Sequence, residues 1–400
     1  MEERSIAMNY EFPENITIDE CRAIVAERDE FIEAVRDGFT VFNYNVAFAD
    51  TFPAVQKRAD AIRREMRGLV FRGDELYSRR FHKFFNLNEK EETQFENIDW
   101  SKPHYLLEKL DGSMVTPFFS TDDSMEIKWH SKMGETFVSD EVSEWMKTNP
   151  DKAHNYYRFC YFATRYGFTP IFEWLSTTNR IVVEHETNNL VLLAMRDNNL
   201  GWYSEYDDLK ELAEQYYLPI VSRIDVPSFD STVLESIQKI NQSEGVVIVF
   251  NDGHMLKVKS DWYLKLHKVK SYLDHEKDLV GVILENKVDD LYSVLVAEDR
   301  ERVKKFSLEL HANIQQSIHM LRDVVLPMTK GCDRKVFATD FANDFRKFYR
   351  TFAFKFYGQS VDNSTIEDYI VKQALMNLNS GPKWDAFKKE LEWNFFSWKK

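Results

Sequence analysis

Glu108-Lys109-Leu110-Asp111-Gly112-Ser113 breaks two apolar runs, Tyr105-Leu106-Leu107 before it and Met114, Val115, Pro117, Phe118 and Phe119 after it. Apolar segments on both sides of a polar, glycine-containing core predict a tight connection between two strands. A lysine at such a strand end, beside an acid and a glycine, is a candidate covalent nucleophile. Its amine titrates near 10.4 in water and attacks only when neighbouring cations or burial lower that value. The reading therefore requires more positive charge from elsewhere in the chain. Taken alone, these six residues also describe an ordinary turn with a solvated lysine.

The remaining sequence decides whether that charge exists. The net charge is -14, which disfavours a nucleic-acid partner when averaged over the chain. The average hides two basic islands. Residues 57–83 hold nine Lys or Arg against four acids, and residues 255–270 hold five lysines against Asp261. Each island alone reads as a solvated face; together they suggest a localised phosphate-binding surface. The three cysteines, Cys21, Cys160 and Cys332, are far apart and lack metal-ligand spacing, which excludes a zinc finger and fits a reduced, cytoplasmic setting. The acidic N-terminus has no apolar leader and no run approaches the roughly 20 residues of a membrane span, so no membrane partner is expected.

At 400 residues the chain exceeds what one core usually serves. A helix is expected over 18–38, ending at Gly38, then a strand over 41–46, a basic helix over 54–66 and a strand-like segment over 66–71. Beyond the central strand pair come a strand over 125–130, a helical stretch over 140–166 and four strands at 170–175, 180–185, 190–195 and 201–204. Helices over 206–216 and 229–241 follow. Gly245 to Phe250, Asn251-Asp252-Gly253 and Met255 to Lys259 form the clearest hairpin, with Asp-Gly signalling a two-residue turn. Its return strand places Lys257 and Lys259 on one face. From 261 onward apolar residues recur at helical spacing. The fold class is therefore α+β: an antiparallel-sheet domain over 1–265 followed by an all-helical domain over 266–400. The aromatic C-terminus (Trp393, Phe395, Phe396, Trp398) reads as core packing.

The pieces form an ordered set. Lys257 and Lys259 can supply the cations Lys109 needs, and Glu173 and Glu244 lie on or beside apolar strands, where a carboxylate is costly unless it meets a metal or a cation. Read singly, each acid is a surface strand-end residue. The order Arg67-Gly68, Lys109-x-Asp111-Gly112, Phe172-Glu173, Glu244-Gly245, Lys257-x-Lys259 resembles the covalent nucleotidyltransferases, the ATP-dependent ligases and capping enzymes. Lys83-Phe84-Phe85-Asn86-Leu87-Asn88-Glu89, Ser131-Lys132, Thr178 to Val182 and Lys257 to Tyr263 narrow the resemblance to the phage RNA ligase 1 family, the anticodon-repair type, over about residues 40–340.

The resemblance implies roles. Lys109 would take AMP from ATP; Tyr44, Arg67, Lys83 and Lys132 would contact the nucleotide. Glu173 and Glu244 would be ribose or metal carboxylates, and Lys257 and Lys259 would neutralise the α-phosphate. Tyr263 would serve ligation, and Asp289 would join Glu244 in holding Mg²⁺ or Mn²⁺. The implied partner is RNA with 5′-phosphate and 3′-hydroxyl ends, tRNA in particular, alongside an end-healing kinase-phosphatase, with the ligase acting as a monomer. Leu110, His130 and Met133 depart from the family pattern, and the basic segment 54–66 is longer than expected. A DNA ligase would follow the Lys-x-Lys strand with a five-stranded barrel, against the helical pattern here. A non-catalytic RNA-binding protein is the alternative from outside the enzymes.

Overall fold

The computed structural model describes residues 10–36, 38–119, 126–132, 134–178, 182–226, 229–285, 288, 291, 295, 297–393 and 396–398. The chain separates into two compact units, Met1–Leu264 and Lys265–Lys400. The α+β class is as expected, with antiparallel sheets in the first unit and helices throughout the second.

Three sheets build the first unit. The first is a meander of β1 (Phe31–Arg36), β2 (Phe39–Tyr44), β3 (Leu69–Arg72) and β4 (Glu75–Ser78). β5 (Phe85–Asn86) and β6 (His104–Glu108) belong to a second sheet, and β7 (Ser113–Phe119) and β8 (Ile127–His130) to a third, of order β10-β9-β7-β8 with β9 (Phe168–Leu175) and β10 (Asn189–Asp197). The second sheet has the order β11-β6-β12-β13-β5, where β11 is Arg223–Ile224, β12 Gly245–Phe250 and β13 Met255–Lys259. Only the β13–β5 pairing is parallel among the described strands. Helices α1 (Ile18–Glu27) and α2 (Arg58–Glu65) pack beside the meander, α3 (Phe137–Thr148), α4 (Pro150–Arg165) and α5 (Tyr206–Gln215) on the third sheet, and α6 (Ser231–Gln238) on the second.

Several expected elements differ. The helix expected over 18–38 stops at Glu27, and Phe31, Ile32 and Val35 enter β1, which pairs with β2 across a turn at Gly38. The β-branched and aromatic residues of this stretch gain a full strand partner, and the glycine read as a helix cap is the hairpin turn. The stretch 140–166 is two helices, broken where Asn149 precedes Pro150, which opens α4 at a position where a missing N–H costs nothing. No strand forms over Val182–His185, because the N–H groups of Val182 and Val183 are taken by the Asp111 side chain rather than by a neighbouring strand; residues 180 and 181 lie outside the described residues. The β12–β13 connection spans Asn251–His254, four residues rather than two.

Part of the basic island at 57–83 is folded inward: Arg64, Arg79 and Arg80 are buried. Arg79 and Arg196 both grip Glu65, at 2.9 Å and 2.7 Å, with all three side chains at 0% exposure. Arg64 pairs with Glu92 at 2.7 Å, and Arg58 of the basic segment 54–66 pairs with Glu20 at 2.6 Å. For Arg64, Arg79 and Arg196 these pairs offset the cost of burial, whereas Arg58 is exposed.

In the second unit α7 (Asp261–Asp274), beginning at the boundary, is followed by α8 (Glu276–Leu284), α9 (Ala297–His319), α10 (Lys347–Lys355), α11 (Asn363–Asn377) and α12 (Gly381–Glu390), with shorter helical turns between. They enclose one apolar cluster that includes Leu310, Ile314, Phe352, Ile366 and Trp384. Trp393 and Phe396 are buried in it, as read from the sequence; Phe395 lies outside the described residues. Among the described residues no helix is long and apolar enough to cross a membrane.

Candidate active site

Lys109 sits where the chain leaves one sheet and enters another. Its N–H donates to Gly245 O on β12 at 2.9 Å, and three residues later the Gly112 N–H donates to Glu173 Oε1 on β9 at 3.1 Å. Only glycine fits at 112: a Cβ there would lie 2.4 Å from the carbonyl oxygen of Trp174. The four residues Lys109–Gly112 thus tie the second and third sheets together and leave the Lys109 side chain between them.

Its ammonium donates to Glu244 Oε2 at 2.7 Å, while Lys259 pairs with Glu244 Oε1 at 3.0 Å. Glu244 is buried and both lysines are about a quarter exposed or less. Lys257 and Lys259, two apart on β13, do not share one partner: Lys257 lines the cleft with its ammonium 4.5 Å from the Phe84 ring centre. Burial, with Arg67, Lys83, Lys109 and Lys259 adding repulsion, holds the Lys257 amine well below the ordinary lysine range.

The cleft encloses about 260 Å³. One end is polar, with Arg67, Lys109, Glu173 and Lys257; the rest is apolar and aromatic, including Phe84, Leu107, Leu193, Val247 and Tyr206. Burial pushes the Glu173 carboxyl up to about 7, partly offset by Lys109. This shape suits a ligand with a flat apolar part and an anionic tail.

A second group of cations surrounds Tyr44. Lys132 lies 3.9 Å and Lys83 5.7 Å from its ring centre. Burial alone would raise the Tyr44 phenol, but Lys83, Lys132 and Arg67, with a hydrogen bond to Arg67, outweigh it and lower it. Burial likewise lowers Lys132. The structure therefore brings together Lys109, Glu173, Glu244, Lys257 and Lys259 as one group and Tyr44, Arg67, Lys83 and Lys132 as another. Arg67, on the cleft wall and bonded to Tyr44, joins the two. Asp289 lies outside the described residues.

Tyr263, the first-turn residue of α7, is buried and its hydroxyl donates to Asp111 Oδ1 at 2.8 Å. Asp111 Oδ2 accepts from the backbone N–H of Val182 and Val183, each at 2.6 Å. One carboxylate two residues from Lys109 thus fixes three distant backbone and side-chain groups. Arg80, which the sequence shows only as one of the nine cations of the 57–83 island, is buried without an acid: its Nε donates to Thr116 Oγ1 at 2.9 Å, and neither terminal nitrogen has a hydrogen-bond partner among the described residues. Burial beside Arg67 lowers its guanidinium to about 9. The adjacent basic pair Arg79-Arg80 was the available signal, but which of the two would meet Glu65 depends on the fold. His130, one of the departures, is buried and stacked on Phe118 with ring centres 3.8 Å apart; Met133 lies outside the described residues.

Among the described residues no three His, Cys, Asp or Glu side chains gather as a metal site. Mg²⁺ is often held by one or two carboxylates together with substrate phosphates, and Glu173 on the cleft wall, with Glu244 bonded to Lys109 beside it, fits that smaller requirement.

A candidate RNA ligase of Thermovibrio ammonificans is 29% identical over 287 residues, 68% of this chain and 72% of that one. A candidate bifunctional polynucleotide kinase/RNA ligase of Autographa californica nuclear polyhedrosis virus is 28% identical over 254 residues, 58% of this chain but only 34% of the viral protein. Among solved structures, an archaeal ATP-dependent RNA ligase superposes with a TM-score of 0.42 at 17% identity, covering 72% of this chain and 74% of that one. An RNA ligase of Naegleria gruberi solved with ATP and Mn gives 0.33 at 17% identity, covering 42% and 52%. A family model described as RNA ligase matches residues 65–272, just over half of the chain and the span that contains Arg67, Lys83, Lys109, Lys132, Glu173, Glu244, Lys257, Lys259 and Tyr263. The chain belongs to this RNA ligase family, the phage RNA ligase 1 type.

Proposed function

We propose that the chain seals RNA by an ATP-dependent route through a covalent lysyl-AMP at Lys109. The observation that carries the reading is the placement of Lys109: tethered by its backbone at the seam of two sheets, with its amine in a cleft whose polar end is cationic and whose remainder fits an adenine ring.

In the first step Lys109 Nζ attacks the α-phosphorus of ATP, a P–N bond forms, and the bond to the bridging oxygen breaks to release pyrophosphate. The nearest acceptor for the proton that Nζ sheds is Glu244 Oε2, 2.7 Å away. Lys257 and Lys259 stand where charge develops on the non-bridging oxygens, and Arg67, with Lys83 and Lys132 around Tyr44, faces the departing phosphates. Donors fixed in advance toward such charge are commonly the largest part of a rate enhancement. Glu173 and Glu244 are the carboxylates that would hold a divalent ion, which would supply Lewis-acid neutralisation of the same oxygens. The RNA 5′-phosphate then takes AMP from Lys109, and a 3′-hydroxyl attacks the capped phosphate, forming the phosphodiester and releasing AMP. Tyr263, buried against Asp111, acts in this reading by holding the seam rather than by touching substrate.

The helical unit after β13, in place of a five-stranded barrel, favours RNA over nicked DNA as substrate. We assign the first unit to adenylyl transfer and the second to choice of RNA, with cleaved tRNA as the substrate and an end-healing kinase-phosphatase as the functional partner. The sealing itself is tested by adenylylating the protein with labelled ATP and Mg²⁺, removing free nucleotide, and offering either 5′-phosphorylated single-stranded RNA or nicked duplex DNA. Label should move to the RNA and not to the nick; transfer to the nick alone would overturn the RNA assignment.

A further inference from the structure

The third sheet has two faces. Met114, Glu173 and Leu193 look into the cleft, while Val115, Phe172, Trp174 and Leu192 pack on the other side against Tyr156, Phe159, Cys160 and Ala163 of α4. The opposite side of α4 is therefore turned away from the reacting groups. Along it His154, Arg158, Tyr161, Phe162, Arg165 and Tyr166 follow one another at helical spacing, and all six are exposed. Tyr166 is 67% exposed, Tyr161 40% and Phe162 39%.

The buried side of the helix is already filled, and the rings only border it: Tyr161 meets Phe119 edge-on at 5.8 Å and Phe162 lies 6.5 Å from Tyr216. The rings are ordered as neighbours. Tyr161 stacks on Tyr157 at 6.0 Å with planes 10° apart, and Phe162 lies 4.9 Å from Tyr166. Arg158 stands 5.5 Å from the ring of Tyr216, and the next residue, Tyr217, is 82% exposed. Within α4 Asp151 is the sole acid, against Lys152, Arg158 and Arg165, in a chain whose net charge is -14. Local cations interleaved with exposed rings are the combination that binds single-stranded nucleic acid without base preference: the rings stack bases and the cations meet phosphates.

We propose that this outer face of α4 is a second RNA-contact surface, which holds the body of a single strand whose end is being joined in the cleft. The occupant is RNA rather than a protein because the exposed cations Lys152, Arg158 and Arg165 outnumber the one acid of the helix, Asp151, and the rings beside them are exposed. The proposal rests on the ligase reading only for the identity of the strand, and its test does not require ligation.

The test is binding of labelled single-stranded RNA to the full chain, by gel shift or fluorescence anisotropy across a salt series. Tyr161→Ser with Tyr166→Ser should weaken binding at least fivefold. Arg158→Gln with Arg165→Gln should weaken it and make the slope of log affinity against log salt shallower by about 1.4, the value for two phosphate contacts on a single strand. Unchanged self-adenylylation and unchanged melting temperature show that each variant is folded and that its cleft is intact. A strand too short to leave the cleft should bind wild type and variants equally. Full-affinity binding of long RNA by both variants would overturn the proposal, as would a wild-type dimer that both variants dissociate while RNA affinity stays constant, which would make the face a contact between copies. Failure of wild type to adenylylate would count against the proposed function and leave the binding result readable by itself.

Discussion

Glu173→Gln provides a signed, quantitative test of the site's electrostatics. In the unfolded chain the carboxyl loses its proton near 4.5, but burial between β9 and the Lys109 seam delays that loss to about 7 in the folded protein. Between those values the folded state holds a proton that the unfolded state has released, so stability falls as pH rises through the window, and the full cost is present above about 7. At about 1.4 kcal/mol for each factor of ten in proton affinity, the cost is about 3 kcal/mol. Glutamine keeps the oxygen that accepts from the Gly112 N–H and cannot ionise. The variant should match wild type near pH 4 and exceed it by up to about 3 kcal/mol at pH 8. Urea unfolding at a series of pH values measures the difference directly. A difference that stays flat from pH 5 to 8, or that favours wild type increasingly as pH rises, would refute the claim that burial dominates at Glu173. The gain in stability should accompany weaker nucleotide binding, because a charge held at a cost is expected where it meets a ligand.

Three further outcomes follow from the same geometry. Glu65→Gln leaves Arg79 and Arg196 buried against a neutral partner and should cost about 3 to 5 kcal/mol in denaturant unfolding; a loss below about 1 kcal/mol would show that the trio is not a charge cluster in solution. Gly68→Ala forces a left-handed backbone, φ +80°, onto an alanine and puts its Cβ 2.2 Å from Arg80 Nη1 and 2.9 Å from Lys132 O. It should weaken ATP binding by tenfold or more through displaced Lys132 while costing about 1 to 3 kcal/mol in stability, and unaltered ATP affinity by calorimetry would contradict the placement. Tyr263→Phe removes one donor to Asp111 and should cost about 1.5 to 3 kcal/mol, whereas Asp111→Ala frees Val182 and Val183 as well and should cost more; the reverse order in thermal unfolding would mean that Asp111 is not the organiser.

Much of the site was legible because its residues announce themselves locally. Lys109 lies between two apolar runs, and the alternation of β13 correctly put Lys257 and Lys259 on the same side of a strand. The hairpin at 245–259 and the helical character beyond 261 rest on short-range periodicity of the same kind. What was not legible depends on partners far away in sequence. Helix and strand were confused over 18–38 because the apolar spacing there suits both, and only pairing with β2 decides between them. Glu65 meets Arg196 across 131 residues, so an island that counts as positive in the sequence is partly neutralised inside the fold. Asp111 was visible as part of the motif, but its hold on Val182, Val183 and Tyr263 was not, since all three contacts are made by distant segments. For Arg80 the local signal stops at the basic pair: nothing in Arg79-Arg80 says that one arginine meets Glu65 and that the other has no hydrogen-bond partner for its terminal nitrogens among the described residues.

The most direct measurement of the central claim is the site of covalent labelling. Purified protein incubated with α-labelled ATP and Mg²⁺, denatured, digested and mapped by mass spectrometry should carry AMP on Lys109, through an acid-labile P–N bond, and Lys109→Ala should carry none. AMP on any other residue, or label persisting in Lys109→Ala, would contradict the account.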